Sequence, residues 1–171
     1  VSFIIAGLGN PGEKYHLTRH NAGYLCIDYI AEKCGARLSR IKFKSLCGEA
    51  RIEGARVLLL KPTTYMNNSG EAVREASLFY KIPPENIIVI SDDINFEPGK
   101  MRIRREGSDG GQKGLRSITE HLGTDKFPRI RLGIGSKPNP EYDAADWVLS
   151  KFTESDKKAI FNVFENAYDS V

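Results

Sequence analysis

The sequence predicts a single α/β domain spanning residues 1–171. Its layers are α/β/α around a twisted, mixed and mostly parallel sheet. Three observations lead there. Phe3-Ile4-Ile5-Ala6, Val57 to Leu60 and Ile87 to Ile90 are short apolar runs without polar alternation, as in strands covered on both faces. Stretches with helical apolar spacing alternate with these runs. The 171 residues contain no internal repeat, low-complexity tract or linker, and that length suits one domain with a substantial core.

The elements follow in order. Ser2 to Ala6 reads as the first strand. A helix is expected from about Arg19 or His20 to Cys34, with Thr18 as N-cap, Gly35 as its stop, and Ala22, Cys26, Tyr29 and Ile30 as its apolar stripe. Ser45 to Ile52 is a weaker strand, and Val57 to Leu60 a buried one. Ser69, or Asn68, can cap a helix reaching Tyr80 with Ala72, Val73, Ala76 and Phe79 inward. Ile87 to Ile90 belongs in the sheet centre. Lys100 to Arg104 reads as a strand with its basic residues outward, Gly114 to Leu122 as a short helix, and Ile130 to Ile134 as a strand. Thr153-x-x-Asp156 is a capping box for a last helix whose apolar face is Ile160, Val163, Phe164 and Ala167.

Composition narrows the function. Hydrophobic residues are 40% and charged residues 27%, as in ordinary globular proteins. No run has the length of a membrane span and no charged-then-apolar leader is visible, so a cytoplasmic protein is expected. Cys26, Cys34 and Cys47 lack metal spacing and read as reduced structural thiols. The net charge of +3 is unevenly spread. Residues 98–140 carry ten Lys/Arg against four Asp/Glu, whereas residues 141–171 carry three against seven. That asymmetry fits a surface meeting an anion; on charge alone a solvated face fits as well.

Gly7, Gly9 and Gly12 spell G-x-G-x-x-G after the first strand, the pattern of a dinucleotide loop. The rest of the motif is missing. Pro11 lacks an N–H, Glu13 is a poor phosphate neighbour, and the helical pattern starts only near Thr18. A nucleotide-dependent oxidoreductase would rest on the glycines alone. The loop reads instead as a turn displaying Asn10 at the carboxyl edge of the sheet, where open α/β folds bind ligands. The three histidines, His16, His20 and His121, form no metal motif, and no G-x-S-x-G elbow occurs. A hydrolase built on this chain therefore needs a general base. His20 at a helix start is the candidate, although a structural histidine also fits. An acid to orient it belongs at another strand end, and Asp92 and Asp93 follow Ile87 to Ser91; either also suits a turn. Asn67 and Tyr65 follow the strand at Val57 to Leu60, where an amide can position water or a carbonyl.

The blocks "GLGNPGEKYHLTRHNAG", "KPTTYMNNSG", "SDDINFEPGKMRIR", "GSDGGQKGLRSI" and "RIRLGIG" resemble bacterial-type peptidyl-tRNA hydrolase, in the family's order and over most of the chain. The resemblance implies hydrolysis of the ester between a peptide and the 3′ ribose of tRNA, with neither metal nor organic cofactor. It puts the catalytic base on His20 and its carboxylate on Asp92. It makes Asn10 the residue recognising the peptidyl part and Asn67 a substrate-positioning amide. Tyr15 and Tyr65 fall on tRNA-contacting aromatics, and Arg104 and Arg131 on a pair that clamps the 5′ phosphate. The basic surface from Lys100 to Lys137 would bind the acceptor stem. Peptidyl-tRNA is the expected partner and a monomer the expected state. Two positions depart from the family's Gly-Gly-His-Asn-Gly: Gln112 stands for the His and Lys113 for the Asn that contacts substrate and water. Lys113 favours the alternative of a catalytically weakened RNA-binding paralogue; His20, Asp92, Asn10 and Asn67 favour the enzyme. Many members also continue for a turn or two beyond the point matching Val171.

Overall fold

The computed structural model describes residues 1–170, with side chains described through residue 165. The strands are β1 (Phe3–Gly7), β2 (Arg40–Lys42), β3 (Ser45–Ile52), β4 (Ala55–Pro62), β5 (Ile87–Asp93), β6 (Met101–Arg104) and β7 (Arg129–Gly133). The helices are α1 (Ala22–Lys33), α2 (Ser69–Tyr80), α3 (Lys113–Leu122), α4 (Ala144–Val148) and α5 (Glu154–Ser170). The strands form one mixed sheet in the order β2-β3-β4-β1-β5-β7-β6. β4, β1, β5 and β7 run parallel; β2, β3 and β6 are antiparallel additions at the two edges.

The apolar runs occupy this parallel centre for a physical reason. Successive side chains of a strand point to opposite faces. Ile5, Val57, Leu59 and Ile90 pack with Ile27 and Ile30 of α1 and with Ile160, Val163 and Phe164 of α5. Ile4, Leu58, Leu60 and Val89 pack with Val73 and Ala76 of α2 and with Leu115 and Ile118 of α3. Both faces are covered, so neither half of the alternation is polar. Ala167, expected on the α5 face, lies outside the described side chains.

The glycines near the start of the chain serve close packing. A Cβ at Gly23 would stand 2.6 Å from the Leu8 backbone, and one at Gly7 would collide with Ile27 and the Gly23 carbonyl. α1 thus crosses the end of β1 almost backbone to backbone. It begins fifteen residues after Gly7, at Ala22, and the Tyr24 N–H of its first turn donates to the Leu8 carbonyl at 3.1 Å, so the helix N-terminus is closed by the loop's own backbone and not open to a pyrophosphate as in a dinucleotide site.

Local details differ from the expectations. Residues 19–21 form a 3₁₀ turn ahead of α1, and the Thr18 hydroxyl donates to the Tyr15 carbonyl instead of capping. Ser69 is the first residue of α2, with its hydroxyl donating to the Met66 carbonyl, and the Asn68 side chain makes no cap. Gly35 does end α1: its φ is 67°, and the Ala36 N–H returns 2.8 Å to the Ala31 carbonyl. The Thr153 hydroxyl accepts from the Asp156 N–H at 3.2 Å, but the Asp156 carboxylate pairs with Arg19 at 3.0 Å and leaves the capping box half made. Phe79 is 58% exposed, its ring lying beside Phe43 and Tyr80 rather than in the core.

β2 and α4 are additional to the expected elements. β2 joins β3 through a two-residue turn in which Phe43 and Lys44 both have positive φ. Burial of the Phe43 ring against Phe79 and Tyr80 holds that unusual pair in place. No helix among the described residues is long and apolar enough to cross a membrane.

Candidate active site

β1, β4 and β5 are parallel, so their carboxyl ends open on one edge of the sheet. The segments leaving β1 and β4 carry Asn10 and Tyr65-Met66-Asn67, and β5 itself ends on Asp92-Asp93. The 3₁₀ turn at Arg19–Asn21 packs against β5 and brings His20 to the same edge. Together they line a cavity of about 440 Å³ containing Asn10, His20, Tyr65, Asn67, Asp92, Lys113 and Arg131. Seven of the nine expected site residues thus meet in one place.

His20 and Asp92 form its centre. The imidazole Nδ1 lies 2.8 Å from Asp92 Oδ2, with the carboxylate 2% and the imidazole 12% exposed. An ionised carboxylate only accepts, so Nδ1 carries the proton and Nε2 is the basic nitrogen of the neutral ring. Burial pushes the His20 pKa down, but the charge and hydrogen bond of Asp92 outweigh it; the Lys113 ammonium opposes Asp92. The net result lies above the usual 6.5.

Asn10 is held from three sides. Its Oδ1 accepts from the Met66 N–H at 2.8 Å, while its own backbone exchanges two bonds with the Asn21 amide at 2.8 and 2.9 Å. With Oδ1 engaged, the Nδ2 hydrogens are the groups Asn10 can offer a ligand. Asn67, the next residue after Met66, is exposed and lines the cavity. Tyr65 adopts φ 63° and ψ 159°, a conformation that disfavours side chains, and its half-exposed ring meets Tyr15 edge-on at 6.4 Å.

The two arginines expected to clamp phosphate lie apart. Arg131 is turned inward, 3.5 Å from Asp93, and also donates to the Ser108 carbonyl. Arg104 lies outside the cavity on β6, exposed, with one nitrogen on the Ile103 carbonyl at 2.8 Å. Strand register relates them: Arg102 lies opposite Arg131, and Arg104 opposite Arg129, so four arginines share one sheet face. Lys113 lines the cavity and is exposed, its charge acting on His20 without an ion pair to Asp92 or Asp93.

Sequence reasoning missed the far wall. α4 brings Ala144, Ala145, Val148 and Leu149 to the cavity. Arg19 anchors this segment: its buried guanidinium stacks 4.0 Å over Trp147 and donates to Ser150, Ile134 and Asp156. A signal existed in Asp143 before an apolar stretch, and its carboxylate does cap Ala145 N–H at 2.7 Å. Asn21, beside His20 in sequence, gave no sign of being the brace of Asn10. Among the described residues no cluster of His, Cys, Asp and Glu could hold a metal.

A family model for peptidyl-tRNA hydrolase matches residues 4–171. The chain belongs to the peptidyl-tRNA hydrolase family. The peptidyl-tRNA hydrolase of Caldicellulosiruptor bescii is 52% identical over 171 residues, covering all of this chain and 89% of that one. That of Caldanaerobacter subterraneus subsp. tengcongensis is 52% identical over 169 residues, covering 99% and 90%. The crystal structure of peptidyl-tRNA hydrolase from Acinetobacter baumannii superposes with a TM-score of 0.92 at 39% identity, covering 98% of this chain and 85% of that one. The family assignment agrees with the α/β fold.

Proposed function

We propose that the protein hydrolyses peptidyl-tRNA, with His20 activating water at the carboxyl edge of the sheet. The family supports the reaction. The observation that carries the mechanism is the 2.8 Å approach of His20 to the buried Asp92. Neutral His20 takes a proton from water through Nε2 as the water oxygen bonds to the ester carbonyl carbon. The bond from that carbon to the ribose 3′ oxygen then breaks, and the imidazolium returns the proton to the leaving oxygen. The products are a free tRNA 3′ hydroxyl and a peptide carboxylic acid, which gives up its proton to solvent and leaves as the carboxylate. Asp92 holds the tautomer and stabilises the transient imidazolium. Asn10 Nδ2 and the Asn67 amide supply donors to the peptidyl carbonyls. The apolar wall of α4 faces the peptide. An ester needs no covalent intermediate here, because its alkoxide leaves more readily than an amine.

Tyr15 and Tyr65 offer ring faces for the unpaired 3′ nucleotides, and the Arg102/Arg104 edge of β6 offers cations to the acceptor stem. Arg131, engaged with Asp93 and Ser108, reaches phosphate only near the cavity mouth. The direct test is peptide release from a peptidyl-tRNA by the purified protein, with free aminoacyl-tRNA left intact. In the same assay Arg104→Ala should weaken tRNA binding and reduce the log–log salt slope by about 0.7–0.9 for each phosphate it no longer neutralises. An unchanged slope would move the RNA surface away from β6. The protein acts in the cytoplasm as a monomer in this reading.

Lys113 replaces an amide that donates and accepts with an ammonium that only donates. Lys113→Asn should raise the His20 pKa, because it removes an opposing charge. The plateau rate should stay within about tenfold, equivalent to about 1.4 kcal/mol of barrier. A collapse of the rate with tRNA affinity intact would make the lysine part of the chemistry.

A further inference from the structure

Gln112 sits at the junction between the catalytic pair and α3. Its Oε1 accepts from the Leu115 N–H at 2.8 Å and so caps α3. That bond fixes which end of the amide is oxygen. Nε2 is therefore the end facing Asp92, and it donates to Oδ1 at 2.9 Å while Oδ2 receives His20. The slot is tight: Nε2 lies 3.2 Å from Met66 Sδ, and a Cβ on Gly114 would come within 3.0 Å of Oε1. The geometry points to Gln112 as a positioning residue for the reaction, a neutral brace that holds both oxygens of Asp92 in the plane His20 needs.

The residue type suits this work. Without Gln112, Asp92 would have one side-chain hydrogen bond, to His20, and could rotate about its Cβ–Cγ bond. A lysine or arginine could also fill Oδ1, but its charge would weaken Asp92 as the partner of an imidazolium. An amide donates without charge and does not titrate. It also accepts, which allows one side chain to tie Asp92 to the first turn of α3. The brace therefore links the positions of Asp92 and Lys113, the two charged groups that act oppositely on His20.

This inference rests on the reading of His20 as the base, and the test separates the two. Gln112→Thr retains a good helix cap but is too short to reach Asp92. Gln112→Glu retains both length and the accepting oxygen but turns the donor into a second carboxylate. The His20 pKa is measured by NMR in the free protein, and single-turnover cleavage of peptidyl-tRNA is measured over pH. The charged groups bearing on His20 are Asp92 on β5 and Lys113 at the start of α3, with Asp93, Asp109 and Arg131 also lining the cavity. In Gln112→Thr, Asp92 should disengage, the His20 pKa should fall by at least about 0.5 unit, and the plateau rate should drop about 10- to 100-fold. In Gln112→Glu the added negative charge should move the His20 pKa upward, opposite to the threonine variant. A residue that only caps α3 would leave the His20 titration unchanged in Gln112→Thr. An unchanged His20 titration in a folded Gln112→Thr, or shifts of the same sign in both variants, would overturn the inference. If Gln112→Thr does not fold, Gln112→Asn replaces it, because it keeps a neutral capping amide but falls one methylene short of Asp92, and an unchanged His20 titration in that variant refutes the brace. Opposite shifts in proteins that, native chain included, do not cleave peptidyl-tRNA would uphold the brace and refute the activity.

Discussion

His20→Ala should slow single-turnover peptide release by about 10²–10⁴-fold while leaving tRNA affinity within about twofold. The substitution removes the one nitrogen among the described cavity residues that is both basic near neutral pH and held by a buried acid. It leaves Asn10, Asn67, the tyrosines and the β6 arginines in place, so substrate should still bind. The loss should fall in the rate constant at saturating enzyme and not in the enzyme concentration that gives half-saturation. Cleavage persisting near the native rate would place the base elsewhere. A parallel loss of binding would show that His20 serves to hold substrate.

The largest effect on stability is expected at Arg129, which does not line the cavity. This side chain is fully buried, yet among the described residues only carbonyls accept its hydrogen bonds. Its guanidinium donates to the carbonyls of Gly107 at 2.9 Å, Phe127 at 3.1 Å, Ser108 and Asp125, and it stacks 4.1 Å over the Phe127 ring. It therefore ties the loop after β6 to the start of β7. Arg129→Leu would bury several carbonyls without donors, each costing about 1–3 kcal/mol before relaxation. The expected loss is about 3–5 kcal/mol, read as a lower urea midpoint with an unchanged slope. A loss below about 1 kcal/mol would mean that water replaces the guanidinium. The same loop continues to Asp109 and Gln112, so the folded fraction of Arg129→Leu should also cleave more slowly than native.

Much of this arrangement was legible in the residues. The apolar runs marked the parallel centre because a strand covered on both faces has no polar side. That placed the carboxyl ends of β1, β4 and β5 on one edge, and with them Asn10, Asn67 and Asp92. What escaped were features whose signals are not periodic. The Phe43-Lys44 turn has no glycine or asparagine; a buried ring stabilises its positive φ by packing on residues distant in sequence. Phe79 matches the helical stripe of α2, but its ring lies beside Phe43 and Tyr80 and stays exposed. Arg131 and Arg104 look alike in sequence, yet one faces Asp93 and the other solvent, because β7 is interior and β6 is the sheet edge. Gln112 stood out as a departure from a familiar pattern; its bond to Asp92 required the fold.

The central claim is that cleavage depends on neutral His20 whose basicity is set by Asp92. The most direct measurement follows single-turnover cleavage of peptidyl-tRNA against pH for the native protein and for Asp92→Asn, beside the NMR titration of His20 in each. The native rate should rise as the imidazole loses its proton, with a midpoint above 6.5 that matches the titration. In Asp92→Asn the carboxylate charge is removed and its hydrogen bond reduced to that of a neutral amide, while burial and Lys113 remain, so the midpoint should fall below 6.5 and the plateau should drop. A rate that ignores the titration of His20, or equal profiles for the two proteins, would contradict the mechanism.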